Sequence, residues 1–96
     1  MKHAVILQPA EEELVEAARF YEERSSGLGS DFLAEIEQSI RRVLENPEAV
    51  ARLRGGFRRR LLRRFPYGLL YRVDAEEIVI VAVMHLRRRP DYWRKR

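Results

Sequence analysis

The chain has 96 residues, no cysteine and a formal charge of +4. These values fit one small domain, and they exclude a disulfide scaffold, a thiolate zinc site and a cysteine nucleophile. A hydrophobic content of 46% is too high for a disordered chain, and the longest apolar run, Ile78 to Met84, falls well short of the ~20 residues that cross a membrane.

Taken in chain order, His3 to Leu7 reads as a short strand. The segment Met1-Lys2-His3-Ala4 that opens it, followed by glutamates, has no signal-peptide pattern. Pro9 suits the first position of a helix, and Glu11, Glu12 and Glu13 in the first turn complement the helix dipole. Leu14, Ala17, Ala18 and Tyr21 give this helix an apolar face, and it stops near Ser25 to Gly29. Ser30 is the expected N-cap of a second helix. Its apolar stripe is Phe32, Leu33, Ile36, Ile40, Val43 and Leu44, and Asn46-Pro47 ends it. The short connection makes the two helices an antiparallel hairpin. After a turn at Arg54-Gly55-Gly56 the period changes. Phe57 to Arg64 is an arginine-rich strand, with Arg58, Arg60, Leu62 and Arg64 on one face. Arginines on both of its faces suggest an edge strand. Phe65-Pro66 interrupts the ladder. Tyr67 to Asp74 alternates, with Tyr67, Leu69, Tyr71 and Val73 on one face. Ile78 to Leu86 is apolar on both faces, which marks a central strand: Ile78, Ile80, Ala82 and Met84 point one way and Val79, Val81 and Val83 the other.

The order β-α-α-β-β-β predicts a single α+β domain over residues 1–96, with a helical hairpin on one face of a small, mainly antiparallel sheet and a basic tail at 87–96. Two helices cover one face only. The other must be covered by the tail or by another chain.

Charge divides unevenly along this order. Residues 1–50 carry 5 basic and 11 acidic side chains, and residues 51–96 carry 14 and 4. Seventeen of the 19 basic residues are arginine, which pairs with phosphate and carboxylate through a planar fork. Part of that arginine excess is compositional bias, but bias does not segregate charge along a chain. A basic face with interleaved Tyr92 and Trp93 suits a polyanionic or acidic partner. There is no phosphate-binding loop, no histidine pair at metal spacing and no activated serine, so neither a metal nor a cofactor is expected. His85 follows the central strand and precedes three arginines. It is either a proton-transfer group for metal-free RNA cleavage or a residue that ends the strand.

Three stretches, Phe65-Pro66-Tyr67-Gly68-Leu69-Leu70-Tyr71-Arg72-Val73, Ile78 to His85, and Arg87-Arg88 with Pro90-Asp91-Tyr92-Trp93, resemble the RelE/ParE family of toxins from bacterial type II toxin–antitoxin systems. The resemblance implies a cytoplasmic growth-inhibiting toxin. A cognate antitoxin would neutralise it and would carry any contact with operator DNA. It leaves two targets. A ParE-like member poisons DNA gyrase, the reading slightly favoured here. A RelE-like member cleaves ribosome-bound mRNA without metal, for which His85 and Tyr92 would be catalytic. In that pattern lysines precede the second strand; here Arg52 and Arg54 stand in that region, and arginine is a poor proton-transfer group. Target or nucleic-acid contacts would fall to Arg54, Arg59, Arg63, Arg87, Arg88, Arg89 and Trp93. An inactive homologue that only binds its antitoxin is the third reading.

Overall fold

In the computed structural model, which describes residues 2–96, four strands and two helices follow the expected order. They are β1 (His3–Ile6), α1 (Gln8–Arg24), α2 (Leu28–Glu45), β2 (Arg58–Leu61), β3 (Tyr67–Val73) and β4 (Glu77–His85), with one 3-10 turn at Arg54–Gly56. The sheet order is β1-β4-β3-β2. β1 runs parallel to β4, and the other two pairings are antiparallel. β4 is therefore an inner strand and the arginine-rich β2 an edge, as the two-faced apolar pattern of one and the two-faced charge of the other require.

The helical hairpin covers one sheet face. Phe32, Ile36 and Val43 of α2 and Ala10 and Ala17 of α1 are buried against Leu69, Tyr71, Ile78, Ile80 and Val83. Tyr21, Phe32, Phe65 and Tyr67 pack ring against ring, with centroids 4.8–6.2 Å apart. Leu33, expected on the buried stripe, lies on the solvent side of α2. Its neighbour Phe32 takes the inward position, and one residue along a helix turns the side chain by about 100°.

α2 begins two residues before the expected Ser30 cap. Its N-cap is Gly27, at φ +87°, a conformation that costs glycine little. The capping oxygens come from α1: Glu22 accepts the N–H of Gly27 at 3.0 Å and of Gly29 at 3.0 Å. A carboxylate from the preceding helix thus replaces the local serine. The helices also meet closely here. A methyl group on Gly29 would lie 2.5 Å from the Ala18 carbonyl oxygen. Gly29→Ala is therefore expected to force the hairpin apart and cost about 1–3 kcal/mol, seen as a lowered midpoint in thermal unfolding.

β4 departs from simple alternation. Leu70 pairs with Ala82 and Tyr71 with Ile80, so Val81 is an extra residue, a β-bulge. Val81 and Ala82 consequently both face away from the helices, and Val83 faces them. The expected sets, Ala82 and Met84 with Ile80 and Val83 with Val81, are corrected by this one-residue shift.

The second face is covered by the chain itself. Leu70, Val79, Val81, Ala82 and Met84 form a separate cluster closed by Trp93, with Leu7, Leu53, Phe57 and Tyr92 at its margin. The tail therefore supplies the cover that the strand pattern demanded. No helix among the described residues is long and apolar enough to cross a membrane.

Candidate functional site

The tail is held by Trp93, Arg94, Arg96 and Tyr92. Trp93 is 1% exposed and meets Phe57 edge to face at 4.8 Å. Arg94 donates from Nη1 to the Arg54 carbonyl at 2.8 Å and from Nε to Asp91 at 3.0 Å. This fastens the tail to the turn made by Gly55 and Gly56, both at φ +83°.

Arg96 reaches further. β1 ends at Ile6, and Leu7 makes the last hydrogen bond from that segment to β4, donating to Ile80. Beyond it lie the Val81 carbonyl and the Val83 N–H, which β1 is too short to reach. Arg96 Nη1 donates to the Val81 carbonyl at 3.1 Å, and Glu13 Oε1 of α1 accepts the Val83 N–H at 3.0 Å. The two side chains pair with each other at 2.9 and 3.2 Å. A carboxylate and a guanidinium thus occupy the place of a strand partner. Tyr92 adds its hydroxyl, which donates to Glu13 Oε2 at 2.7 Å. Arg88 and Arg96 lie over its ring at 4.1 and 5.1 Å.

Burial, the hydrogen bond to Glu13 and the Glu13 charge raise the Tyr92 phenol well above its ordinary value. In the unfolded chain the phenol ionises near pH ~10. In the folded protein it holds its proton to higher pH, so this contribution to stability is complete below ~10 and fades as pH rises beyond it. Tyr21, Tyr67 and Tyr71 are shifted in the same direction, in each case chiefly by burial. Denaturant midpoints are expected to fall above pH ~10, with a shallower fall in Tyr92→Phe.

These contacts revise the expected site. Trp93, assigned to a binding surface, is core, because a large ring was needed to close the second face. Tyr92 is not a free stacking ring, since guanidinium groups lie on it and its hydroxyl is engaged. His85 is half-buried and pairs with Tyr67 across the strands, their rings edge to face at 5.0 Å. Its Nδ1 accepts the Arg87 N–H at 3.0 Å. A neutral ring in that arrangement carries its proton on Nε2. Among the described residues no hydrogen bond joins His85 to Tyr92 or to Arg63. Arg63 sits in the turn after β2, where Glu35 of α2 accepts the backbone N–H of both Arg63 and Arg64.

Arg54, Arg59, Arg63, Arg87, Arg88 and Arg89 are exposed. Arg59 lies on the face away from the helices, with its alkyl stem against Gly68, where a Cβ would lie 3.1 Å from Arg59 Cγ. At the same end of the sheet two large apolar side chains face solvent, Leu61 at 53% and Leu86 at 44%. Exposed apolar side chains and exposed arginines at one end of the sheet are the composition that meets an acidic partner with an apolar anchor.

Sequence reasoning missed Glu13 and Arg96. Glu13 reads as one of three helix-start glutamates, and Arg96 as one of many arginines. The signal that separates Glu13 is its position: of the three, it alone shares the helix face of Ala10 and Ala17, both buried.

The family model described as ParE toxin of type II toxin–antitoxin system, parDE, matches residues 5–90. A solved structure from P. aeruginosa, titled as a chromosomal ParDE TA system, superposes with a TM-score of 0.75 at 18% identity, covering 91% of this chain and 97% of that one. No curated protein matches in sequence.

Proposed function

Because the chain belongs to the family of ParE toxins of type II toxin–antitoxin systems, we propose that it arrests growth by binding DNA gyrase and not by cutting RNA. The observation that carries this reading is the state of the two side chains a nuclease would use. The His85 Nδ1 lone pair is engaged by the Arg87 N–H. The Tyr92 hydroxyl is engaged by Glu13, and its proton is held more firmly than usual. Tyr92 therefore has no proton to exchange near neutral pH, which proton transfer requires. A binding surface needs only shape, apolar anchors and charge, which Leu61, Leu86, Arg59 and Arg87 to Arg89 offer.

The same surface suits a cognate antitoxin whose segment carries acidic and apolar side chains. Operator DNA would be reached only through that partner. Gyrase as target places the action in the bacterial cytoplasm.

The test is induced expression without antitoxin, with protein synthesis and DNA replication followed in parallel. Filamentation with a DNA-damage response while translation continues is the expected result. An early collapse of translation would favour ribosome-dependent RNA cleavage, and unimpaired growth an inactive homologue; either outcome contradicts the proposal.

A further inference from the structure

A second basic feature lies away from the tail, on the helix side of the sheet where α2 crosses the edge strand. Arg58 and Arg60 of β2 pair with Tyr71 and Leu69, whose side chains belong to the helix-side core, so both arginines face α2. Arg58 is used up: its guanidinium donates to the Val50 carbonyl and lies 3.9 Å from Glu48. Arg60 is not. It lines a concavity of about 130 Å³ together with Arg42, Arg63, Glu35, Gln38, Ser39 and Leu61. Three arginines thus line a space large enough for one small anion. Among the described residues none of the three takes part in an ion pair or donates a side-chain hydrogen bond, whereas neighbouring arginines are paired, Arg41 with Glu37 and Arg64 with Asp31. Three cationic residues share this space with one carboxylate, Glu35, which is itself engaged by the backbone of the Arg63–Arg64 turn; the excess positive charge is relieved by a bound anion.

The turn beside this space already holds an anion of the protein's own. The consecutive N–H groups of Arg63 and Arg64 both point to the Glu35 carboxylate. Successive backbone N–H groups of this kind form an anion-binding nest. Glu35 also borders the arginine-lined space, so its carboxylate opposes any incoming anion there.

We propose that Arg42, Arg60 and Arg63, with Ser39 at the base, form a binding site for a single phosphate group. Planar guanidinium forks match phosphate oxygens, and three of them exceed what one carboxylate can accept. The site is independent of the toxin's target. The phosphate comes either from solution or from a nucleic-acid backbone.

The experiment is a titration of the whole chain with inorganic phosphate, followed by NMR of the backbone amides and arginine side chains at constant ionic strength. Saturable shifts centred on Ser39, Arg42, Arg60 and Arg63 are expected. Arg42→Gln, on the exposed face of the helix, and Arg60→Gln are expected to weaken binding at least tenfold. Glu35→Gln is expected to strengthen it several-fold, because the opposing charge goes while the side chain still accepts from the turn. Arg19→Gln, on α1, serves as the charge-matched control and is expected to change nothing. A five-residue thymidine oligonucleotide that binds the same residues more tightly than phosphate identifies the source as a nucleic-acid backbone, and weaker binding identifies free phosphate. Shifts spread evenly over all exposed arginines, an equal loss in Arg19→Gln, or acetate binding as tightly as phosphate would overturn the assignment.

Discussion

Trp93→Ala is expected to destabilise the protein by about 3–5 kcal/mol, the range for removing a large buried ring. A domain of this size has a total stability of only about 5–15 kcal/mol, so much of the variant should be unfolded at growth temperature. The expectation follows from position. Trp93 is the residue through which the tail closes the second face, over Leu70, Val79, Val81, Ala82 and Met84. Its loss opens a cavity and also uncovers an inner strand that is apolar on both sides. Trp93→Phe should cost less than the alanine change. Among the described residues the indole Nε1 is buried with no hydrogen-bond partner, so phenylalanine gives up volume but removes an unsatisfied donor. Urea unfolding of the three proteins side by side measures both differences.

Glu13→Ala is the second large effect, expected at about 2–4 kcal/mol. Removing one partner of a buried ion pair costs about 3–5 kcal/mol, because the remaining charge is left uncompensated. The pair here retains 17% and 20% exposure, which moderates that loss. Three donors lose their acceptor together: the Arg96 guanidinium, the Val83 N–H and the Tyr92 hydroxyl. The loss should be local before it is global. Trypsin is expected to cut at Arg94 and Lys95 faster in Glu13→Ala than in the parent, while the helical signal in circular dichroism is kept. The double variant Glu13→Ala, Arg96→Ala should cost less than the two single changes added, since neither charge is then stranded. Full additivity would mean that the two side chains do not act as a unit.

How far this was legible in the sequence varies with the physics involved. The helical hairpin and the strand order follow from local patterns, a 3–4 spacing and a two-residue alternation, and both appear in the structure. Local patterns failed where one residue shifts the phase. Nothing in the apolar run Ile78 to Met84 marks Val81 as the bulge, because every side chain in it suits either face. The α2 cap moved from Ser30 to Gly27 because Glu22, five residues back, supplies the capping oxygens, a tertiary contact with no local signature. The basic tail illustrates a different limit. Composition marks residues 87–96 as a basic tail, but it does not separate outward arginines from those that fasten the tail. Arg94 and Arg96 turn inward to the Arg54 carbonyl and Glu13, whereas Arg87 and Arg89 remain exposed.

That division sharpens the meaning of the charge asymmetry. Part of the basic half is spent internally, on a carboxylate of the acidic half and on open carbonyl groups. Other arginines are exposed at one end of the sheet that also carries Leu61 and Leu86, and line the seam between α2 and β2. A toxin that acts by binding needs its free arginines and apolar anchors more than it needs His85 or the Tyr92 hydroxyl.

The decisive measurement mixes the purified chain with DNA gyrase and plasmid DNA and scores loss of supercoiling and trapped, cleaved DNA, for the parent, His85→Ala and Tyr92→Phe. Inhibition by all three is expected, with His85→Ala within about twofold of the parent and with ribosome-bound mRNA left intact. Undisturbed gyrase, together with mRNA cleavage that His85→Ala abolishes, would contradict gyrase binding as the toxin's action.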